Sequence, residues 1–125
     1  MVVSGVGVNR IGVRETAWIN TTDLYTTIGN IAGVSTTEIH NSQSFYPLLT
    51  DENGLKRDFV YSEKEDGYTI RNASYKYLKF DNGTEELYKL SIDAYEGSNL
   101  MSSTLSSEAS AAKMDLIAEA DSIRN

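Results

Sequence analysis

The stretch SYKYLKFDNGTEELYKLSIDA, residues 74–94, reads as two β-strands folded back at Asn82-Gly83. Both central positions of a type I′ hairpin turn want φ > 0, and Asn-Gly meets that demand better than other natural pairs. A two-residue loop there puts Tyr77 opposite Tyr88, Tyr75 opposite Leu90 and Ala73 opposite Ile92. All six side chains then share one face, because side chains along a strand alternate with period two. The second strand agrees independently. Tyr88, Leu90, Ile92 and Ala94 alternate with Lys89, Ser91 and Asp93, the pattern of a sheet with one buried and one wet face. The same register sets Lys79 against Glu86, a small attraction, and Lys76 against Lys89, a small repulsion. Leu78, Phe80 and Leu87 fall on the face away from the tyrosines.

Upstream, Asn53-Gly54 and Asp66-Gly67 mark further turns. Arg57 to Lys64 is a strand candidate carrying Phe59, Val60 and Tyr61. A two-residue loop at Asp66-Gly67 pairs Val60 with Ala73 and adds Val60 to the face of Tyr75. Tyr68 and Ile70 have the other parity, which calls for a bulge or strong twist near Asn72. Phe45, Tyr46, Leu48 and Leu49 form an apolar run broken by Pro47. Proline cannot donate to a sheet ladder, so the run reads as an edge strand or an extended loop. Short connections favour sequence neighbours as spatial neighbours. The expectation is an antiparallel meander of three to four strands within residues 44–95.

Helices flank the meander. Residues 104–123 place Leu105, Ala109, Ala112, Leu116, Ala120 and Ile123 in one narrow arc at helical spacing. Most of that stripe is small, which permits close approach of another element. Before the sheet, Asn20 reads as an N-cap with Asp23 at the third helical position. Leu24, Ile28 and Ile31 follow on one face, and Gly33 sits where a helix-ending glycine belongs. A second short turn is read from Ser35 to Glu38. Residues 1–13 carry Gly5, Gly7 and Gly12, which suits a flexible arm or an interrupted edge strand. The fold class is therefore α+β. One domain spans 1–125, with a short N-terminal helix and a longer C-terminal one.

Cysteine is absent, so disulfides and thiolate metal sites are excluded. The formal charge is -7 and the pI about 4.6, a balance that disfavours direct nucleic-acid binding. Residues 51–96 hold eleven acids and seven bases, so the acidity sits mostly on the expected sheet. Met1 to Val8 has no basic region ahead of a long apolar one, unlike a secretory leader. No stretch approaches the length of a membrane span. The expected location is the cytoplasm or a virion.

Motifs for phosphate loops, nucleophile elbows and zinc helices are missing. Asp81 to Glu86 has its glycine third and strands on both sides, unlike a calcium loop. His40 is the only histidine and reads as a surface residue. Asp51/Glu52, Glu65/Asp66 and Glu85/Glu86 adjoin turns and should be wet, whereas acid–base work wants a carboxyl with a raised pKa. No cofactor or metal is expected.

Eight tyrosines, six of them between Tyr46 and Tyr88, suit a contact surface. The reading is a non-enzymatic interaction or assembly module, such as a viral or multi-subunit structural component. Its expected partner is a protein, itself or a larger assembly. The interface candidates are Tyr75, Tyr77, Leu78, Phe80 and Tyr88 on the sheet and Leu105, Ala109, Ala112, Leu116 and Ile123 on the helix. Two alternatives remain: an acidic inhibitor that mimics nucleic acid, and a small enzyme using a carboxylate in a cleft.

Overall fold

The computed structural model describes residues 1–37, 39–54 and 56–124. The chain forms two compact units, Met1–Arg57 and Asp58–Asn125.

In the first unit, helix α1 spans Asp23–Ile31. The N-cap is Thr22, without a side-chain cap bond, and not the expected Asn20. The Asn20 N–H nevertheless donates to Asp23 Oδ2 at 2.7 Å, a reach back of the kind a capping box makes. An early carboxylate also suits the positive end of the helix dipole. The helix stops at Gly33, whose φ of +69° is left-handed. The Val34 N–H folds back to the Gly29 carbonyl at 2.9 Å, satisfying an end carbonyl. The turn read at Ser35 ends on Glu38, which lies outside the described residues.

The apolar run at Phe45 is neither strand nor extended loop. Tyr46–Leu49 forms a 3-10 turn with Pro47 in its first positions, where a missing N–H costs no helical bond. Residues 1–13 form no regular element, but they are anchored within their own unit. The N–H groups of Asn9 and Arg10 both donate to the Leu49 carbonyl, at 3.0 and 3.2 Å.

The second unit is an antiparallel meander followed by a helix. Its strands are β1 (Val60–Lys64), β2 (Gly67–Arg71), β3 (Tyr75–Phe80) and β4 (Glu85–Lys89), in the order β1-β2-β3-β4. Helix α2 spans Ser107–Arg124. Its first turn is closed by the Ser106 hydroxyl, which accepts from the Ala109 N–H at 3.2 Å. The strands therefore occupy less of the chain than the 44–95 expected for the sheet.

Each expected hairpin register is displaced. Tyr77 stands opposite Leu87, Tyr75 opposite Lys89 and Lys79 opposite Glu85. Of Asn82 and Gly83, only Gly83 takes positive φ, +90°, so the turn is not type I′. The Gly83 N–H donates to the Phe80 carbonyl and the Phe80 N–H to the Thr84 carbonyl, at 3.0 and 2.9 Å. This is a three-residue loop ending in a left-handed glycine. The one-residue slip swaps faces. Leu87 joins Tyr75 and Tyr77, while Tyr88 turns to the face of Leu78 and Phe80. Pairing ends at Lys89, so Leu90 and Ile92 meet no partner strand, and Ile92 is exposed.

The two-residue loop before β2 is Glu65-Asp66, not Asp66-Gly67, and Val60 pairs with Arg71 rather than Ala73. Val60 thus lies on the face away from Tyr75. The parity change near Asn72 is a complete turn, not a bulge. Asn72 Oδ1 accepts from the N–H groups of Ser74 and Tyr75 at 2.9 and 2.8 Å, and this side-chain turn reverses the chain between β2 and β3. Gly67, at φ +151°, passes so close to β3 that an added Cβ would lie 2.2 Å from the Lys79 carbonyl oxygen.

One face of the meander is the core side. Ile70, Tyr75, Tyr77 and Leu87 are buried there against Ala109, Leu116 and Ala120 of α2.

Candidate functional site

The stripe on α2 is used inside its own unit. Leu116 is fully buried at 0 % exposure, and Ala109 is nearly so. Leu105, Ala112 and Ile123 are half-buried and pack on the same core. The small residues let the helix sit close to the tyrosine-bearing sheet. Three ion pairs border that contact: Lys89 to Glu108 at 2.8 Å, Arg124 to Glu63 at 3.1 Å, and Lys113 to Glu85. The same cations lie over tyrosine rings, Lys89 on Tyr75 at 5.5 Å, Lys113 on Tyr77 at 5.7 Å and Arg124 on Tyr68 at 4.8 Å. Glu85 also pairs with Lys79 at 2.7 Å. Lys113 and then Lys79 hold its carboxyl down to about 2. Burial, and then the bond to Glu85, pushes the Tyr77 hydroxyl up.

The ten interface candidates divide accordingly. Tyr75 and Tyr77 are buried beneath α2, packed with Ala109, Ala112, Leu116 and Ile123 of the helix. Leu105 packs with them but precedes the helix, which begins at Ser107 and not at 104. Leu78 and Phe80 are half-buried on the other face, where they join Tyr88. The Tyr88 hydroxyl donates to Glu86 at 2.9 Å. The acidic pairs Asp51/Glu52 and Glu65/Asp66 are exposed, and so is His40. Among the described residues, every carboxyl with a displaced pKa is displaced downward. No group of three or more His, Asp or Glu side chains is placed to hold a metal among the described residues. No described helix is long and apolar enough to cross a membrane.

The first unit holds the arrangement that sequence reading missed. Asp23 is 1 % exposed. It accepts from the N–H groups of Asn20 and Gln43, at 2.7 and 2.8 Å, and from both ends of the Arg57 guanidinium. Burial pushes its carboxyl up, but Arg57 and the two backbone donors outweigh that and leave it lowered. Arg57 also donates to the carbonyl and side-chain oxygens of Asn41. Those bonds hold Asn41, which with His40 before it takes left-handed φ, 56° and 48°. The capping pattern announced Asp23, but nothing in the spacing tied it to Arg57.

The inward face of α1 is consequently polar. Asp23 and Thr27 are buried, and the Thr27 hydroxyl accepts from the Phe45 N–H at 3.0 Å. The apolar stripe points outward instead, with Ile28 at 62 % and Ile31 at 56 % exposure and Leu24 partly open beside them. From Leu24 to Thr37 there is no charged residue.

A cavity of about 290 Å³ also lies in this unit, lined by Val3, Val8, Val13, Ile19, Phe45 and Leu48, with Arg10 and Glu15 among them. Arg10 Nη1 donates to Glu15 at 2.7 Å and to the Leu48 carbonyl at 2.9 Å. The Arg10 bond, followed by the Ala17 N–H, holds the Glu15 carboxyl down to about 2. The Arg10 and Glu15 side chains of the cavity are therefore paired, and the walls around them are largely apolar.

No family model matches the chain, and no curated protein matches it. Among solved structures, it is similar to BT4656 in complex with its substrate D-glucosamine-2-N,6-O-disulfate, with a TM-score of 0.65 and 23% sequence identity. The match covers 81% of this chain but 23% of that one. At this identity the likeness establishes a shared fold, and that fold occurs as a segment of a much longer chain.

Proposed function

We propose that this chain is a non-enzymatic assembly module, and that its first unit docks through the outward face of α1 onto a larger protein body. The observation that carries this reading is the exposure of Leu24, Ile28 and Ile31 on a helix whose inward face is polar. Full burial of such a side chain from water is worth roughly 1.5–3 kcal/mol, and each of the three still has part of that to gain. Contiguous apolar surface of this kind marks an interaction site. The fourteen uncharged residues from Leu24 to Thr37 ask for an uncharged, apolar partner surface. The stripe of α2 is already covered by its own sheet, so α1 replaces α2 as the docking element.

The structural neighbour supports a setting. Its fold segment belongs to a longer protein that binds a sulfated amino sugar. In an assembly of that kind, a chain of net charge -7 contributes packing rather than attraction for a sulfated ligand.

The test is sedimentation velocity of the full chain over a concentration series. The isolated chain should self-associate through the uncovered face. The double variant Ile28→Asp/Ile31→Asp should remain monomeric with an unchanged far-UV circular dichroism spectrum. A wild-type chain that stays monomeric and binds no hydrophobic dye overturns the docking face. Sulfate release from sulfated glucosamine by the purified chain overturns the non-enzymatic reading.

A further inference from the structure

The chain holds two Asn-Gly pairs, Asn53-Gly54 and Asn82-Gly83, and the fold treats them differently. The backbone nitrogen after an asparagine can attack the side-chain carbonyl carbon and close a five-membered imide. A following glycine leaves that approach open because it has no Cβ.

Asn82 and Gly83 lie at the exposed tip between β3 and β4. The Thr84 N–H donates to Asn82 Oδ1 at 2.8 Å. That bond folds the side chain back over Gly83. It also places a fixed donor where negative charge develops on Oδ1 during attack, the arrangement that stabilises an oxyanion. A Cβ added at Gly83 would meet nothing within 4 Å, so no other segment crowds the glycine.

Asn53 is held otherwise. Its side-chain amide nitrogen donates to Asp51 Oδ1 at 3.2 Å, and no donor to its Oδ1 is seen among the described residues. Gly54 is wedged against Leu48, whose N and Cδ2 lie 2.9 Å from an added Cβ.

We propose that Asn82 is a self-modification site, rearranging through an imide to isoaspartate and aspartate in the folded chain, ahead of Asn53. The Gly83 N–H first leaves its bond to the Phe80 carbonyl. The nitrogen then loses its proton to water and bonds to Asn82 Cγ, and the side-chain nitrogen leaves as ammonia. Water then opens the imide at either carbonyl. One opening gives aspartate. The other routes the backbone through the former side chain and lengthens it by one methylene. Amide and water become acid and ammonia, with no oxidant or further reactant. Either product puts a new carboxylate beside Asp81, and the isoaspartate product also reroutes the backbone that leads to the Thr84 bond. Both changes fall next to Glu85, which holds Lys113 of α2.

The test ages the full chain in mildly alkaline buffer, folded and in concentrated urea. Peptide mass mapping and isoaspartyl-methyltransferase labelling then read each site. In the folded chain Asn82 should convert severalfold faster than Asn53, and in urea the two rates should converge. Thr84→Pro removes the N–H but keeps the carbonyl that receives the Phe80 N–H. It should slow Asn82 severalfold at an unchanged circular dichroism spectrum. If that variant does not fold, the folded-against-urea comparison decides alone. Asn53 equal to or ahead of Asn82 in the folded chain, or one rate ratio in both states, overturns the proposal.

Discussion

Asp23 and Arg57, thirty-four positions apart, form a two-pronged ion pair almost out of reach of solvent. Removing one member leaves the other charged and buried, which typically costs about 3–5 kcal/mol. Arg57→Ala should therefore lower the urea midpoint of the chain sharply. Asp23→Asn should do the same, because the amide cannot accept at both oxygens. The pair also sets a pH dependence. The folded carboxyl is lowered relative to its unfolded value of roughly 4. Its contribution is complete above that value and is lost as pH falls through the lowered folded one. Denaturation midpoints across that acid range check it, and a flat profile would contradict the assignment.

Leu116 anchors α2 in the sheet core. Leu116→Ala should cost about 2–5 kcal/mol. Since the side chain is covered within its own unit, the loss should be independent of protein concentration. Thermal melts at widely spaced concentrations measure this. A melting temperature that climbs with concentration would return Leu116 to an interface between copies.

Glu85 joins Lys79 and Lys113, a strand neighbour and a helix residue. Its side chain keeps partial access to solvent, so Glu85→Gln should cost only about 1 kcal/mol. The folded carboxyl, at about 2, is held below its ordinary value. Its share of stability is therefore complete above pH of roughly 4.3 and lost as pH falls toward 2. The difference between wild type and Glu85→Gln should shrink in high salt. Paired denaturation curves with and without salt read both effects.

Gly67 has no room for a side chain beside the Lys79 carbonyl, and its φ is one that other residues resist. Gly67→Ala should destabilise the meander by at least about 1–3 kcal/mol. Hydrogen exchange should show the loss first at the β2–β3 pairing. An alanine variant with wild-type exchange there would mean that the added Cβ is accommodated without parting the strands, against the close approach seen at Gly67.

The meander and the α2 stripe were legible because each repeats one period over many residues. Tyr88, Leu90 and Ile92 announced a strand, but its last turn of pairing stops at Lys89, and alternation alone does not mark where a ladder ends. The slip at Asn82-Gly83 has a local cause. The pair suits a two-residue loop, yet a three-residue loop needs only its glycine left-handed. Asn72-Ala73-Ser74 was hidden because its reversal rests on a side-chain acceptor, with no glycine to flag it. For α1 the stripe is legible in the sequence, and the way it faces is not. Leu24, Ile28 and Ile31 normally mark a buried face, but here the buried charge pair takes the inside. A contact between residues 23 and 57 leaves no periodic trace.

The strand order β1-β2-β3-β4 also bears on how quickly residues 58–125 find their fold. Each strand pairs with the one just made, so each step closes a loop of a few residues at small entropic cost. The 3-10 turn Leu100–Ser102 then folds back onto β4, and α2 returns from further along the chain onto β2 and β3. Chains dominated by such local pairings fold faster than sheets whose strands come from distant segments. The meander can assemble as successive hairpins, and the helix then closes over a platform already in place.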